Sequence, residues 1–171
     1  MTDDLPEIAP SVRQPWAWAI IHGGKDVENR SAAAVRHGMR PGRIAIHAAK
    51  GLTRAEYEDA RDVMVRIGVA CPHPSDLIRG AVIGSVTVTA VVNASDSPWF
   101  FGPRGLVLAD PKDCDPIPAR GALGFFRWFG GGEPLLAAPL MRHWPNGPHP
   151  GARAVSPPTA PTPDLFREAP G

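Results

Sequence analysis

Cysteine, lysine and long apolar runs are all scarce in this chain. Only two of its 171 residues are cysteine, at Cys71 and Cys114. Two cysteines cannot build a disulfide framework or a four-cysteine zinc site, so we expect free thiols in a reducing compartment. Cys71 and His73 are close in sequence, but no second pair of ligands follows at zinc spacing. We therefore expect no metal site, and no motif indicates a cofactor.

No stretch of the chain approaches the ~20 consecutive apolar residues that a membrane-spanning helix needs. The first residues, Met1 to Asp4, are acidic and polar. They lack the apolar run of a secretory signal. From these two absences we expect a cytoplasmic protein that does not contact a membrane.

Net charge is also nearly absent, but the charges are unevenly placed. The formal net charge is +1, yet residues 11–55 hold eight basic side chains and two acidic ones. Arginine suits phosphate and stacks on bases, and lysine is present at three positions only. The basic segment is either a solvated face with ordinary ion pairs or a surface for an anionic partner. The sequence indicates no particular oligomeric state.

A helix with an abrupt end is predicted near the start of the basic segment. Pro15 suits a first helical turn, and the residues from Trp16 to Ile21 are apolar on nearly every side. Gly23 and Gly24 supply the backbone freedom that ends a helix. We expect this helix to be buried, with Trp16 at a cleft.

Three charged side chains follow the two glycines. In an extended chain Glu28 and Arg30 lie on the same face, because side chains alternate with a period of two. Lys25 precedes them at the turn. The plain interpretation is a lysine that caps the helix and a Glu28–Arg30 ion pair. The functional interpretation is a binding or catalytic group formed by all three side chains.

The remaining pattern predicts an α+β fold with an antiparallel sheet. A capping box at Thr53 and Glu56 starts a helix that Gly68 ends. Gly84 interrupts a β-branched run as a bulge would. A loop is predicted at Ser31–Pro41, and strands are predicted at Arg43–Ala48, Gly80–Val92, Leu106–Ala109 and Leu123–Phe129.

The composition changes after residue 129. Residues 130–171 begin with three glycines and contain ten prolines. Such a segment cannot pair enough backbone groups or bury enough apolar surface to fold alone. We expect a Pro/Gly-rich tail that is disordered or draped over the domain, and Trp144 favours partial docking.

Five segments together resemble the ASCH domain family of the PUA-like superfamily. Gly23, Lys25, Glu28 and Arg30 complete its G-x-K-x-x-E-x-R signature. The other similar segments are Ser11–Trp16, Arg43–Ala48, and the pair Ser97–Pro103 and Pro116–Gly124 near the end of the domain. The resemblance implies a small, partly closed antiparallel β-barrel with flanking helices over residues 9–129.

The resemblance also implies a nucleic-acid-binding module. RNA, or a modified or extruded base, would be held in a cleft between barrel and helix. Arg30 would fix the Glu28 carboxylate, which would read the exocyclic amine of the base. The expected binding residues are Arg13, Trp16, Lys25, Glu28, Arg30, Arg36, Arg40 and Trp99.

A small metal-independent hydrolase is the alternative. Some bacterial relatives remove acyl groups from modified cytidines, and others cut RNA, so the partner would be a nucleoside-like small molecule or RNA. Lys25 and Glu28 would then be the catalytic pair. The amidohydrolases carry Thr where this chain has Glu28, which weighs against that activity. No Ser/His/Asp or Cys/His nucleophilic set is recognisable in the sequence.

Overall fold

The computed structural model describes residues 4–36, 41–133, 141 and 144. This part of the chain forms strands, helices and one short 3-10 turn at Pro74–Asp76. The helices are α1 (Trp16–His22), α2 (Ala32–Arg36) and α3 (Arg54–Ile67). The strands are β1 (Ile8–Val12), β2 (Val27–Arg30), β3 (Gly42–Ala48), β4 (Ala81–Val92), β5 (Arg104–Pro118) and β6 (Phe125–Arg127).

These strands form one curled sheet in the order β2-β5-β4-β3-β1-β6. The two edge strands approach each other, because the Arg30 guanidinium carbon on β2 lies 5.6 Å from the Phe125 ring centroid on β6. The curled sheet with its helices confirms the α+β, partly closed barrel. The pairing of β1 with β3 is parallel and departs from the otherwise antiparallel arrangement.

Helix α1 packs on β3, β4 and β5 and contributes Ile20 and Ile21 to the main core. Gly84 on β4 makes this packing possible, since a Cβ there would lie 2.8 Å from Ile21 Cδ1. The register between β4 and β5 shifts between Val82 and Gly84. The predicted irregularity at Gly84 is therefore confirmed.

Helix α3 begins and ends as predicted. The Thr53 side chain accepts a hydrogen bond from the Glu56 backbone, and the Glu56 side chain accepts one from the Thr53 backbone. Gly68 ends the helix with a φ of 88°. Here the local sequence decides both ends, because each cap depends on residues that lie within one turn of it.

The predicted loop Ser31–Pro41 was wrong in its first half, where α2 lies. Ser31 Oγ accepts a hydrogen bond of 3.2 Å from the Ala34 N–H. A serine N-cap followed by three alanines favours a helical turn, although the segment is too short to show periodicity.

Strand β5 is longer than the predicted Leu106–Ala109, because it continues through Pro111 and Pro116. Neither proline is a register partner of β4. A proline cannot donate a ladder hydrogen bond, so it is tolerated in a strand where the pairing is irregular.

Two described residues beyond the predicted domain boundary are buried. Met141 and Trp144 join a cluster with Leu52, Tyr57 and Leu77. The Trp144 and Tyr57 ring centroids lie 6.3 Å apart. Most of the predicted tail lies outside the described residues, so the boundary at residue 129 stays a prediction. In the described part of the chain, no helix is long and apolar enough to cross a membrane.

Candidate functional site

The start of α1 is anchored by the buried side chain of Gln14. Its Oε1 accepts a hydrogen bond of 2.9 Å from the Trp18 N–H, and its Nε2 donates one of 2.8 Å to Ile78 O. These bonds satisfy a backbone group of the first turn and connect the helix to the segment before β4. The position of Trp16, at the start of α1, is fixed as a result.

The end of α1 turns Lys25 back against the helix. Gly24 adopts a φ of +71°, which favours glycine. The backbone N–H of Lys25 then donates a hydrogen bond of 3.0 Å to Ala19 O. Gly24 therefore acts as predicted, whereas Gly23 has a φ of −99° and needs no positive-φ freedom. The turn places the lysine side chain beside the Trp16 ring.

The ammonium group of Lys25 is buried, and the residue is only 3% exposed. Its Nζ donates to Glu28 Oε2 at 2.8 Å and also to Val27 O. It lies 5.9 Å from the Trp16 ring centroid, within the range of a cation–π interaction. The side chain is thus bound to β2, and it does not cap α1 as the plain interpretation proposed.

Glu28 and Arg30 lie on the same face of β2, as the alternation predicts. Arg30 Nη2 is 3.6 Å from Glu28 Oε1. That distance makes an ion pair but is too long for a hydrogen bond. Arg30 Nε and Nη2 are buried and have no hydrogen-bond partner among the described residues. Arg30 therefore neutralises Glu28 more than it fixes the carboxylate in place.

Lys25 and Glu28 border a cavity of about 230 Å³, which we call the α1–β2 cavity, and Arg30 is not among its described lining residues. The Trp16 and Phe101 ring centroids are 6.5 Å apart, with the ring planes inclined at 58°. Phe101 is 58% exposed and contributes the outer aromatic surface. The lining residues are Trp16, Lys25, Glu28, Asn29 and Phe101.

Trp99 lies beneath this cavity and does not line it. It is 3% exposed, and its ring meets the Trp16 ring edge-on with centroids 6.4 Å apart. Trp99 was predicted to stack on a base. In the structure, Phe101 is the aromatic residue of this loop that lines the cavity. Trp99 instead supports Trp16 from the core side.

Asn29 holds the aromatic loop in place and was not predicted. Its Nδ2 donates to Trp99 O, and its Oδ1 accepts from the Phe101 N–H, both at 2.8 Å. One signal in the sequence pointed to it, since Asn29 lies between Glu28 and Arg30. Only the fold brings it to a loop about 70 residues later in the chain.

The predicted arginines are not gathered at the cavity. Arg13 is exposed and pairs with Glu56 at 3.0 Å, near the start of α3. Arg36 is the last residue of α2, and its side chain is not among those the structure describes. Arg40 lies outside the described residues. A continuous basic surface therefore stays a prediction.

A larger cavity, of about 700 Å³, lies elsewhere, and its described lining has fewer polar side chains. Its lining comes from α2, from the end of β4 and from the start of β5. Arg104 is the only charged residue among the described residues that line it. Size alone does not identify a site, because orientation and specificity need several convergent polar groups. The α1–β2 cavity has them.

Comparison with known proteins agrees with the signature at this cavity. The family model described as "ASCH domain" matches residues 11–100. No curated protein matches the chain. The crystal structure of a serine-to-alanine mutant of ZmASCH from Zymomonas mobilis is 21% identical, covers 67% of this chain and 75% of that chain, and has a TM-score of 0.37. A likeness at that score adds nothing to the fold described above. The family match covers more than half of the 171 residues and includes Gly23, Lys25, Glu28 and Arg30, so the chain belongs to the ASCH domain family.

Proposed function

We propose that this ASCH domain binds a nucleic acid, with RNA favoured, by taking one normal or modified base into the α1–β2 cavity. The observation that carries the proposal is the buried Lys25–Glu28 pair beside Trp16 and Phe101. A cation, an anion and two aromatic rings around one small cavity match the polar edge and the flat faces of a base.

The hydrogen-bonding capacity of the pair supports a base edge as ligand. A lysine ammonium has three N–H donors, and Val27 O and Glu28 Oε2 accept two of them. The third can reach a ligand. Among the described residues, the long ion pair with Arg30 is the one contact of Glu28 Oε1, so this oxygen retains acceptor capacity. A donor beside an acceptor complements a carbonyl or ring nitrogen beside an exocyclic amine, as on cytosine or guanine.

The size of the cavity supports a single base as its occupant. Sites for drug-sized ligands span roughly 300–1,000 Å³. About 230 Å³ is smaller, so the sugar and phosphate would stay outside. Stacking on an aromatic ring contributes about 1–3 kcal/mol per base. Trp16 and the exposed face of Phe101 would supply that stacking, and Trp99 would hold Trp16 in position.

Phosphate contacts are proposed for the arginines of the predicted binding set. Arg13, Arg36 and Arg40 would bind the backbone of the nucleic acid, as in the sequence-based prediction. The exposed Arg13–Glu56 pair does not prevent this, because exposed ion pairs contribute only about 0–1 kcal/mol. Such contacts position the ligand, while the cavity would select the base. A cytoplasmic location stays part of the proposal.

Anisotropy titrations of labelled single-stranded RNA, duplex RNA and duplex DNA at several salt concentrations test the proposal. Lys25→Met removes the ammonium and keeps the length of the side chain, whereas Lys112→Met removes an exposed lysine of β5 that does not line the cavity. We expect salt-sensitive binding that weakens at least tenfold in Lys25→Met and stays near wild type in Lys112→Met. Absence of salt-sensitive affinity for all three ligands would refute it.

The same titrations distinguish a reader from a hydrolase. Each oligonucleotide, and N4-acetylcytidine as a free nucleoside, is recovered after incubation and analysed by mass spectrometry. An intact ligand supports the binding module. A cleaved RNA or a deacetylated nucleoside, with the loss of turnover in Lys25→Met, would instead support the hydrolase alternative with Lys25 and Glu28 as its catalytic pair.

A further inference from the structure

Ser11 and His47 form a hydrogen-bonded pair that the sequence did not reveal. The parallel register of β1 and β3 places the two residues opposite each other. Ser11 Oγ lies 3.0 Å from His47 Nδ1, and His47 Nε2 lies 2.9 Å from Ala119 O. A serine beside a histidine that a third group orients is the arrangement of an activated nucleophile.

The hydrogen bonds assign the tautomer of His47. A carbonyl oxygen can only accept, so Nε2 carries the proton that Ala119 O receives. Nδ1 of the neutral ring is then unprotonated and accepts the hydroxyl proton of Ser11. Burial lowers the pKa of His47, which favours this neutral form. The lone pairs of Ser11 Oγ are thereby left for an electrophile.

This pair borders a second cavity, of about 320 Å³, which we call the Ser11 cavity. The described lining of the Ser11 cavity has no residue in common with that of the α1–β2 cavity. Gly121 lies against the pair, since a Cβ there would be 2.6 Å from both Ser11 Oγ and His47 Cε1. Ser11 itself is partly exposed, so a small group could reach its hydroxyl.

Two cations border the Ser11 cavity. Lys50 and Arg120 both line it, and neither has a salt-bridge partner among the described residues. Glu133 lies with both of them around a neighbouring cavity. A reactive serine beside two positive charges suits an electrophile that carries an anionic group.

We propose that Ser11 and His47 are a nucleophile and its general base, and that they hydrolyse carboxylic esters whose acyl part carries an anionic group held by Lys50 and Arg120. Ser11 Oγ attacks the ester carbonyl while His47 Nδ1 takes the hydroxyl proton. The ester C–O bond breaks, His47 returns the proton to the leaving alcohol, and the acyl group stays on Ser11. Water then attacks the acyl-serine as Nδ1 takes its proton. The acyl–Oγ bond breaks, Nδ1 gives that proton to Ser11 Oγ, and the acid is released.

The first test is covalent labelling of the folded protein with a fluorophosphonate, followed by intact-mass and peptide mass spectrometry. We expect one adduct on Ser11 and none in Ser11→Ala. Ser75→Ala is the matched control, because Ser75 Oγ lies 2.6 Å from His73 Nδ1 on an exposed turn. That variant should label like the wild type. Absence of an adduct on Ser11, or an unchanged adduct in Ser11→Ala, would overturn the proposal.

The second test is hydrolysis of 4-nitrophenyl hydrogen glutarate, compared with 4-nitrophenyl acetate. Removing a nucleophilic serine can cost up to roughly 10⁶-fold in kcat, so we expect at least about a hundredfold loss in Ser11→Ala. Arg120→Met should lower kcat/KM for the anionic ester about tenfold relative to the neutral one. Equal effects on both esters would overturn the role of the cations. RNA binding at the α1–β2 cavity is unaffected by either result, so the two proposals fail independently.

Discussion

Lys25 Nζ lies 2.8 Å from Glu28 Oε2, and the two side chains are only 2% and 13% exposed. Burying an ion pair costs desolvation energy that the Coulomb attraction often fails to offset. A fold that only needed stability would gain as much from apolar side chains of similar size. In the proposed function the pair is retained for the base that it binds.

Lys25→Met should lower the free energy of unfolding by about 2–3 kcal/mol, because it leaves the Glu28 carboxylate buried with only the distant Arg30. Adding Glu28→Gln removes that unpaired charge. The double variant should therefore be more stable than Lys25→Met alone, by about 1 kcal/mol or more. Urea unfolding of the four proteins of this cycle measures the difference. A double variant less stable than either single variant would show that the pair is not coupled.

Phe101→Ala should weaken RNA binding by about 1–3 kcal/mol, since it removes an aromatic stacking surface. Because Phe101 is 58% exposed, its loss should change the free energy of unfolding by no more than about 0.5 kcal/mol. Phe129→Ala is the control, as Phe129 is 72% exposed and does not line the α1–β2 cavity. Equal losses of affinity in both variants would argue against stacking in the cavity.

Gly121→Ala should lower the free energy of unfolding by about 1–3 kcal/mol, because the new methyl group would overlap Ser11 and His47. Gly130→Ala is the matched control, since a Cβ there meets nothing closer than Ile117 Cγ2 at 3.6 Å. That change should stay within about 0.5 kcal/mol. Chemical denaturation compares the two, and equal stabilities would contradict the close approach of residue 121 to the pair.

Stability should fall as the pH is lowered below the ordinary pKa of histidine, 6.5. Burial lowers the pKa of His47 in the folded state, so the unfolded state binds its proton first. The stability that the neutral His47 contributes is fully present above the ordinary pKa of 6.5. It is lost as the pH falls through the lowered pKa of the folded state. His47→Gln can still accept from Ser11 and donate to Ala119 O, but it does not titrate. Urea unfolding between about pH 8 and about pH 5 should show a steeper fall in the wild type than in this variant. If the free energy of unfolding changed with pH equally in both proteins, the lowered pKa of His47 would be contradicted.

Much of the α1–β2 cavity could be predicted because its charged residues are close in sequence. Gly24 adopts the positive φ of the turn before Lys25, and the alternation of an extended strand puts Glu28 and Arg30 on one face. The capping box of α3 could be predicted for the same reason. Each of these features depends on neighbours within a few residues.

Features that depend on distant pairing could not be predicted. Nothing local decides that Phe101, and not Trp99, faces the cavity, because hydrogen bonds from Asn29 set the course of that loop. Ser11 and His47 meet only because β1 pairs in parallel with β3. Such contacts are properties of the sheet order and register, which composition and periodicity do not contain.

Entry of a base into the α1–β2 cavity is tested by following the indole N–H signals of the five tryptophans by two-dimensional NMR while nucleosides are titrated in. Trp16→Phe assigns the Trp16 signal. We expect at least one nucleoside, natural or N4-acetylated, to shift the Trp16 signal saturably. Lys25→Met should abolish this shift while the other indole signals keep their positions. A Trp16 signal that no nucleoside moves, in a protein that still binds oligonucleotides, would show that the base does not enter the α1–β2 cavity.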